Sequence, residues 1–101
     1  MPPDSPTITN VTVVSSHSVF ISWNALFDGH SNITHFILQI ANGTDRLKIA
    51  ILDRSYTVEN LSPYTKYELQ VMAVNKIGEG EVSEMKKVLT FPSGIFNLNG
   101  D

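Results

Sequence analysis

Apolar residues in this chain recur at every second position within short runs, and no stretch has the spacing of a long amphipathic helix. In one run, Val19, Ile21 and Trp23 share a face, because successive side chains of a strand point to opposite sides. Similar alternation predicts further strands within 9–13, 36–40, 47–51, 56–58, 67–73 and 84–91. Seven short strands separated by turn residues favour an all-β sandwich.

One domain accounts for most of the chain. Its 101 residues suit a single hydrophobic core, since domains most often contain about 100–150 residues. We expect a disordered N-terminal flank at 1–5, a domain at 6–91 and a linker or C-terminal flank at 92–101. Within the domain, Asn42-Gly43 predicts a tight hairpin, because both residues tolerate positive φ.

The strongest motif begins at Leu61 and reads Leu-Ser-Pro-Tyr-Thr-Lys-Tyr as far as Tyr67. The strand that follows ends in Ala-Val-Asn at Asn75, and a Gly-Glu-Gly loop occupies 78–80. A leucine-proline corner that leads into a tyrosine at the start of a strand is typical of the tyrosine corner of immunoglobulin-like sandwiches. The whole pattern resembles a fibronectin type III module.

The resemblance covers 6–91 and implies an antiparallel immunoglobulin-like sandwich of seven strands, three packed on four. It implies structural core positions at Trp23, Leu61 and Tyr67, with the Tyr67 hydroxyl bonded to the backbone near Leu61. The loop after Trp23 departs from the family, which often has prolines where this chain has Asn-Ala-Leu-Phe. The resemblance therefore implies no particular shape for that loop.

Composition excludes several classes of function. No cysteine occurs, so disulfides, thiolate-bound metals and cysteine nucleophiles are excluded. The formal net charge is −3 and the only adjacent basic pair is Lys86-Lys87, so nothing favours binding to nucleic acid. No apolar run approaches the roughly 18 residues that a membrane-spanning helix requires, so we expect no direct membrane insertion by this chain.

The residue types of a hydrolase triad occur together at Asp28, His30 and Ser31. A triad needs a base that is aimed at the nucleophile and oriented by a third group, usually from distant segments. Three residues in one short polar loop favour a turn instead. His17, His30 and His35 lack the spacing of zinc ligands, and the loop at 78–80 lacks the lysine of a phosphate-binding loop. We predict a protein that is not an enzyme and has no cofactor.

Four Asn-x-Ser/Thr sequons are the chemical signal that exceeds background, at Asn10, Asn32, Asn42 and Asn60. Eight asparagines and eighteen serines or threonines predict roughly 1.4 such triplets by chance. All four asparagines fall in predicted turns, loops or outward strand positions, where a glycan can be accommodated. We interpret them as glycosylation candidates and expect an extracellular or cell-surface origin.

Protein recognition and spacing is the function that these features favour. Ile37, Met72 and Val74 are expected on the outer face of one sheet and are candidates for an interaction face, although scattered apolar residues there are also normal. We expect a module of a multidomain adhesion or receptor protein, whose partners are another protein and the neighbouring domains of its own chain. The alternative is a structural module of an intracellular filament-associated or scaffolding protein.

Removing residues 1–5 and 95–101 should leave the melting temperature nearly unchanged, because both ends have turn or linker composition. Thermal unfolding of the full and the trimmed chain followed by circular dichroism measures this. A fall of about ten degrees would mean that Ile95, Phe96 or Leu98 contributes to the folded domain, since a shift of that size corresponds to more than about 1 kcal/mol.

Overall fold

The structure, a computed structural model, describes residues 4–25 and 32–93. Two antiparallel sheets form it, and no helix occurs among the described residues. The strands are β1 (Thr7–Val13), β2 (Val19–Asn24), β3 (Ile33–Asn42), β4 (Asp45–Ile51), β5 (Ser55–Val58), β6 (Lys66–Asn75), β7 (Gly78–Glu79) and β8 (Lys86–Leu89). One sheet has the order β1-β2-β5, and the other has the order β4-β3-β6 with both β7 and β8 paired to β6. The predicted all-β sandwich is confirmed.

The last predicted strand is split into two, which is why eight strands are found instead of seven. The two-residue β7 pairs with the end of β6, and β8 pairs with its beginning. Between them, the Ser83 N–H donates to the Val71 carbonyl oxygen at 2.7 Å and the Gly80 N–H donates to the Ala73 carbonyl oxygen at 2.9 Å. Residues 78–89 thus follow β6 as one irregular edge, and the arrangement of three strands on four holds.

The inner faces of the two sheets meet in one hydrophobic core. Trp23 contributes from β2 and Phe36 from β3, and their rings contact edge to face with centroids 5.6 Å apart. The side chains around them come from alternate strand positions, as the period-two pattern predicts. The core residues are Val19, Ile21, Trp23, Phe36, Leu38, Ile40, Ile51, Val58, Tyr67, Leu69, Val71 and Ala73.

A register shift in β1 keeps its apolar residues on the core side. Ile8 is opposite Trp23 and Asn10 is opposite Ser22, so Thr9 is the extra residue of a β-bulge. Without the bulge, Ile8 and Val11 would lie on opposite faces, because three positions separate them. With it, Ile8, like Val11, packs against the core.

The chain enters and leaves the sandwich at opposite ends. Thr7, at the start of β1, is paired with Asn24, and the end of β6 at Asn75 is paired with Ile33 at the start of β3. Leu89, at the end of β8, is instead paired with Lys66 at the start of β6. The connections at 52–54 and 76–77 therefore lie at the entry end, and the hairpin at Asn42-Gly43 lies at the exit end. That hairpin is confirmed, with Gly43 at φ 61°.

Replacing Trp23 by alanine should lower the free energy of unfolding by roughly 3–5 kcal/mol, the range for truncating a large core aromatic. Its side chain is only 1% exposed, so truncation removes packing from both sheets at once. Urea denaturation followed by circular dichroism measures the loss. Leu52→Ala is the matched control, because Leu52 is 81% exposed and should change stability little. A loss below about 1 kcal/mol for Trp23→Ala would contradict the assigned core.

Candidate functional site

The tyrosine corner closes the exit end of the sandwich. The Tyr67 side chain is buried, and its hydroxyl oxygen accepts a hydrogen bond from the Ser62 N–H at 2.8 Å. This is the backbone bond near Leu61 that the motif predicts. Leu61 is partly buried and packs against the core cluster, while Trp23 and Tyr67 belong to it.

A buried threonine that the sequence analysis did not single out completes this corner. Thr90 is 1% exposed, and its hydroxyl accepts from the Thr65 N–H at 2.9 Å and donates to the Ser62 carbonyl oxygen at 2.7 Å. The hydroxyl thereby links the segment after β8 to the connection between β5 and β6. Thr90 has the same inward parity as Val88, two residues before it. That parity could have predicted its role, because a hydroxyl on a core face needs hydrogen-bond partners.

Asn75 holds the loop between β6 and β7. It is buried, and its side-chain oxygen accepts from the Ile77 N–H at 2.9 Å and from the Gly78 N–H at 3.2 Å. Ile77, at the tip of the loop, is 57% exposed. The asparagine of the Ala-Val-Asn motif therefore shapes a loop that presents an apolar side chain at the entry end.

The candidate catalytic residues Asp28, His30 and Ser31 lie outside the described residues. His17 is tied to the exit end, where its Nδ1 donates to the Leu61 carbonyl oxygen at 2.8 Å. His35 Nδ1 is 3.0 Å from the Thr34 hydroxyl. Over residues 4–25 and 32–93, no three histidine, aspartate or glutamate residues are grouped as metal ligands would be. No helix in that same part of the chain could cross a bilayer.

The candidate interaction face on the larger sheet is less exposed than expected. Ile37 is opposite Met72, and Val74 is opposite His35, so the three apolar side chains share the outer face. Met72, however, is only 8% exposed, and Ile37 and Val74 are half-buried. Met72 therefore offers little surface to a partner, and the interaction role of the three residues stays a prediction. Met72 lies in the central strand, flanked by β3 on one side and by residues 80–83 on the other, and both neighbours cover it.

Charged side chains of both signs dominate the rest of that outer face. Glu68 is opposite Lys87, and Lys48 is opposite Gln39. Arg46 and Lys66 occupy outward positions of β4 and β6. The face therefore offers mainly polar and charged groups to a protein partner.

An apolar groove of about 570 Å³ runs between the edges of the two sheets, along β4 and β5. Each of these strands is an edge strand of its sheet. Leu47, Ile49 and Tyr56 point inward by strand parity and line the groove, yet Leu47 is 56% exposed. The groove is thus the open side of the core.

The smaller sheet presents an outer face of a different chemistry. No residue of β1, β2 or β5 is charged, and the outward positions carry hydroxyl and amide groups around one aromatic ring, that of Phe20. Thr12 and Thr57 are opposite Phe20 on either side. The Thr9 and Ser22 hydroxyl oxygens are 3.0 Å apart on this face.

The four sequon asparagines occupy different settings. Asn10 is exposed on β1, and Asn32 is exposed just before β3. Asn42 is half-buried at the end of β3, where it is opposite Asp45 in the hairpin. Asn60 is exposed in the connection between β5 and β6, and its φ of 63° places it in the left-handed region.

The family model of the fibronectin type III domain matches residues 4–88. The chain belongs to the fibronectin type III family. Mouse protein sidekick-1 is 30% identical over 95 residues, which cover 89% of this chain and 4% of that protein. Human cell adhesion molecule DSCAM is 34% identical over 94 residues, which cover 89% of this chain and 5% of that protein. This fibronectin type III module thus spans only a small fraction of the length of these relatives.

Solved structures of other proteins contain the same fold. The crystal structure of domains A168–A170 from titin matches with a TM-score of 0.80 and 33% identity. The match covers 89% of this chain and 32% of that one. Fibronectin type III modules like this one therefore have relatives both in a cell adhesion molecule and in titin.

Replacing Tyr67 by phenylalanine should lower the free energy of unfolding by roughly 0.5–1.5 kcal/mol, because the half-buried Ser62 N–H loses its acceptor. Tyr64→Phe is the matched control, since Tyr64 is 67% exposed in the same connection. Urea denaturation of both variants measures the difference. Equal stability losses in the two variants would contradict the assigned role of the corner.

Proposed function

We propose that this chain is a non-catalytic protein-interaction and spacer module of a multidomain adhesion or receptor protein, located at the cell surface or outside the cell. The similarity to a cell adhesion molecule, at 34% identity over most of the chain, is the observation that carries the proposal. The four sequons support it, because N-linked glycans are added to proteins that pass through the secretory pathway.

The proposed role as a spacer follows from the positions of the two chain ends. It enters at one end of the sandwich and leaves at the other, so successive modules would be joined end to end. The ten residues of β6 span roughly 30 Å at about 3.3 Å per residue, which sets the scale of one unit. The core that the two sheets share and the hydroxyl contacts at Thr90 would keep the unit rigid.

Recognition would use the loops at 24–34 and 75–82 and one face of the larger sheet. Within the first loop, residues 26–31 lie outside the described residues. The loop at 75–82 presents Ile77 from a turn that Asn75 holds in place. The sheet face around Ile37, Met72 and Val74 would contribute charged contacts more than apolar area, because Met72 is buried. Rigid scaffolds that present loops commonly bind other proteins in this way.

A second candidate function is that of a structural module in an intracellular filament-associated or scaffolding protein. The similarity to the titin structure, at 33% identity, favours it specifically. In that setting the same end-to-end geometry would serve as one link in a chain, and the sequons would be coincidental.

Glycan occupancy distinguishes the two functions. Secreted from a eukaryotic host, the chain should carry sugar at Asn32 or Asn42 and least at Asn60, where Pro63 directly follows the sequon and restricts the backbone. Peptide mapping with and without glycosidase measures occupancy at each site. The same chain with Asn32→Gln is the matched control, because it should lose the glycan at position 32 alone. Four bare sites would contradict the extracellular proposal and favour the intracellular one.

A further inference from the structure

Asn10 differs from the other three sequon asparagines because it lies inside a paired strand. Asn32 precedes β3, Asn42 ends that strand, and Asn60 lies in a connection. The Asn10 side chain is exposed, and the Thr12 hydroxyl donates to its Oδ1 at 3.0 Å. This bond orients the carboxamide. The amide nitrogen, which carries the sugar in an N-linked glycan, does not take part in that bond.

The Phe20 ring lies diagonally across from Asn10. Asn10 is opposite Ser22 and Thr12 is opposite Phe20, so Asn10 and Phe20 are diagonal neighbours on one face. Such neighbours are about 7–8 Å apart, within reach of a sugar attached to the Asn10 side chain. Phe20 points away from the core, because Val19 and Ile21 on either side of it are fully buried.

The Phe20 side chain is half-buried between Thr12 and Thr57, and it does not belong to the core cluster. Because Phe20 is outward and only partly buried, it offers apolar surface that a sugar can contact. The C–H groups of a sugar ring carry partial positive charge, which the negative face of an aromatic ring attracts.

We propose that Asn10 is an N-glycosylation site whose first sugar packs on the ring of Phe20, so that the outer face of the smaller sheet is covered by glycan. Hydroxyl and amide groups surround the ring and can bond the sugar's polar groups, and β1, β2 and β5 carry no charge that would be desolvated. The inference rests on the proposed extracellular function, since glycosylation requires the secretory pathway. Its consequence is that protein partners bind the charged face of the larger sheet.

The test uses a variant chain in which the Asn10 sequon is the only one that remains. Asn32→Gln removes the sequon at position 32. Thr44→Ala and Ser62→Ala remove the sequons of Asn42 and Asn60 and leave these two asparagines in place, because both lie at turns that suit asparagine. The chain is secreted from a eukaryotic host with ¹³C-labelled sugar, and an endoglycosidase trims the glycan to one N-acetylglucosamine. NMR then measures the chemical shifts of the sugar protons, and thermal unfolding compares this form with the unglycosylated chain from bacteria.

The expected result is an upfield shift of the sugar C–H protons, caused by the ring current of Phe20, together with a melting temperature a few degrees above that of the unglycosylated chain. Phe20→Leu should abolish the upfield shift, because leucine keeps an apolar side chain but has no ring. As a matched control, a chain that keeps only the Asn42 sequon should show sugar protons that do not change when Phe20 is replaced.

Two results would overturn the inference while leaving the proposed function intact. One is a bare Asn10 in a secreted wild-type chain whose other sequons are occupied. The other is an occupied Asn10 whose sugar protons have the same shifts in the parent chain and in Phe20→Leu. All four sites bare in the secreted wild-type chain would overturn the inference and the proposed function together.

Discussion

The contact between Trp23 and Phe36 is the interaction on which the rest of the structure depends. The two rings belong to different sheets and meet edge to face at 5.6 Å within the core that the sheets share. Neither sheet is stable alone, because each has one apolar face that only the other sheet can cover. The positions of the loops, the sequons and both outer faces follow from this packing, since each of them is held by a strand whose inner side is buried.

Hydroxyl groups close the sandwich where apolar packing ends. Tyr67 accepts from the Ser62 N–H, and Thr90 joins the same connection to the end of the last strand. Ser83 satisfies a backbone group in the same way at the irregular edge, where its hydroxyl accepts from the Val71 N–H at 3.0 Å. Buried backbone groups that no ladder partner reaches are costly, so side chains take the place of the missing strand. The domain thereby tolerates an interrupted edge and keeps its ends rigid.

The two outer faces have opposite chemistry, and this asymmetry matters for function. The larger sheet presents charged groups such as Glu68, Lys48 and Lys87, which suit contacts with a polar protein surface. The smaller sheet presents uncharged hydroxyl and amide groups around Phe20, with the Asn10 sequon among them. In the multidomain protein that we propose, a module joined at both ends would have only its faces, edges and loops for recognition, so a glycan on one face would direct binding to the rest.

The sequence by itself determined the first six strands, their inner faces, the hairpin at Asn42 and the family, because alternation and turn chemistry are local properties. Tertiary structure decided the rest. The bulge at Thr9 depends on which register lets β1 bury its residues against β2, and the burial of Met72 depends on both neighbours of a central strand. Leu47 has the same inward parity as buried residues but is exposed, because it lines the open groove between the edges of the two sheets. In the sequence, Thr90 is an ordinary polar residue. In the structure its hydroxyl is buried and bonds to the connection before β6, which is distant in sequence.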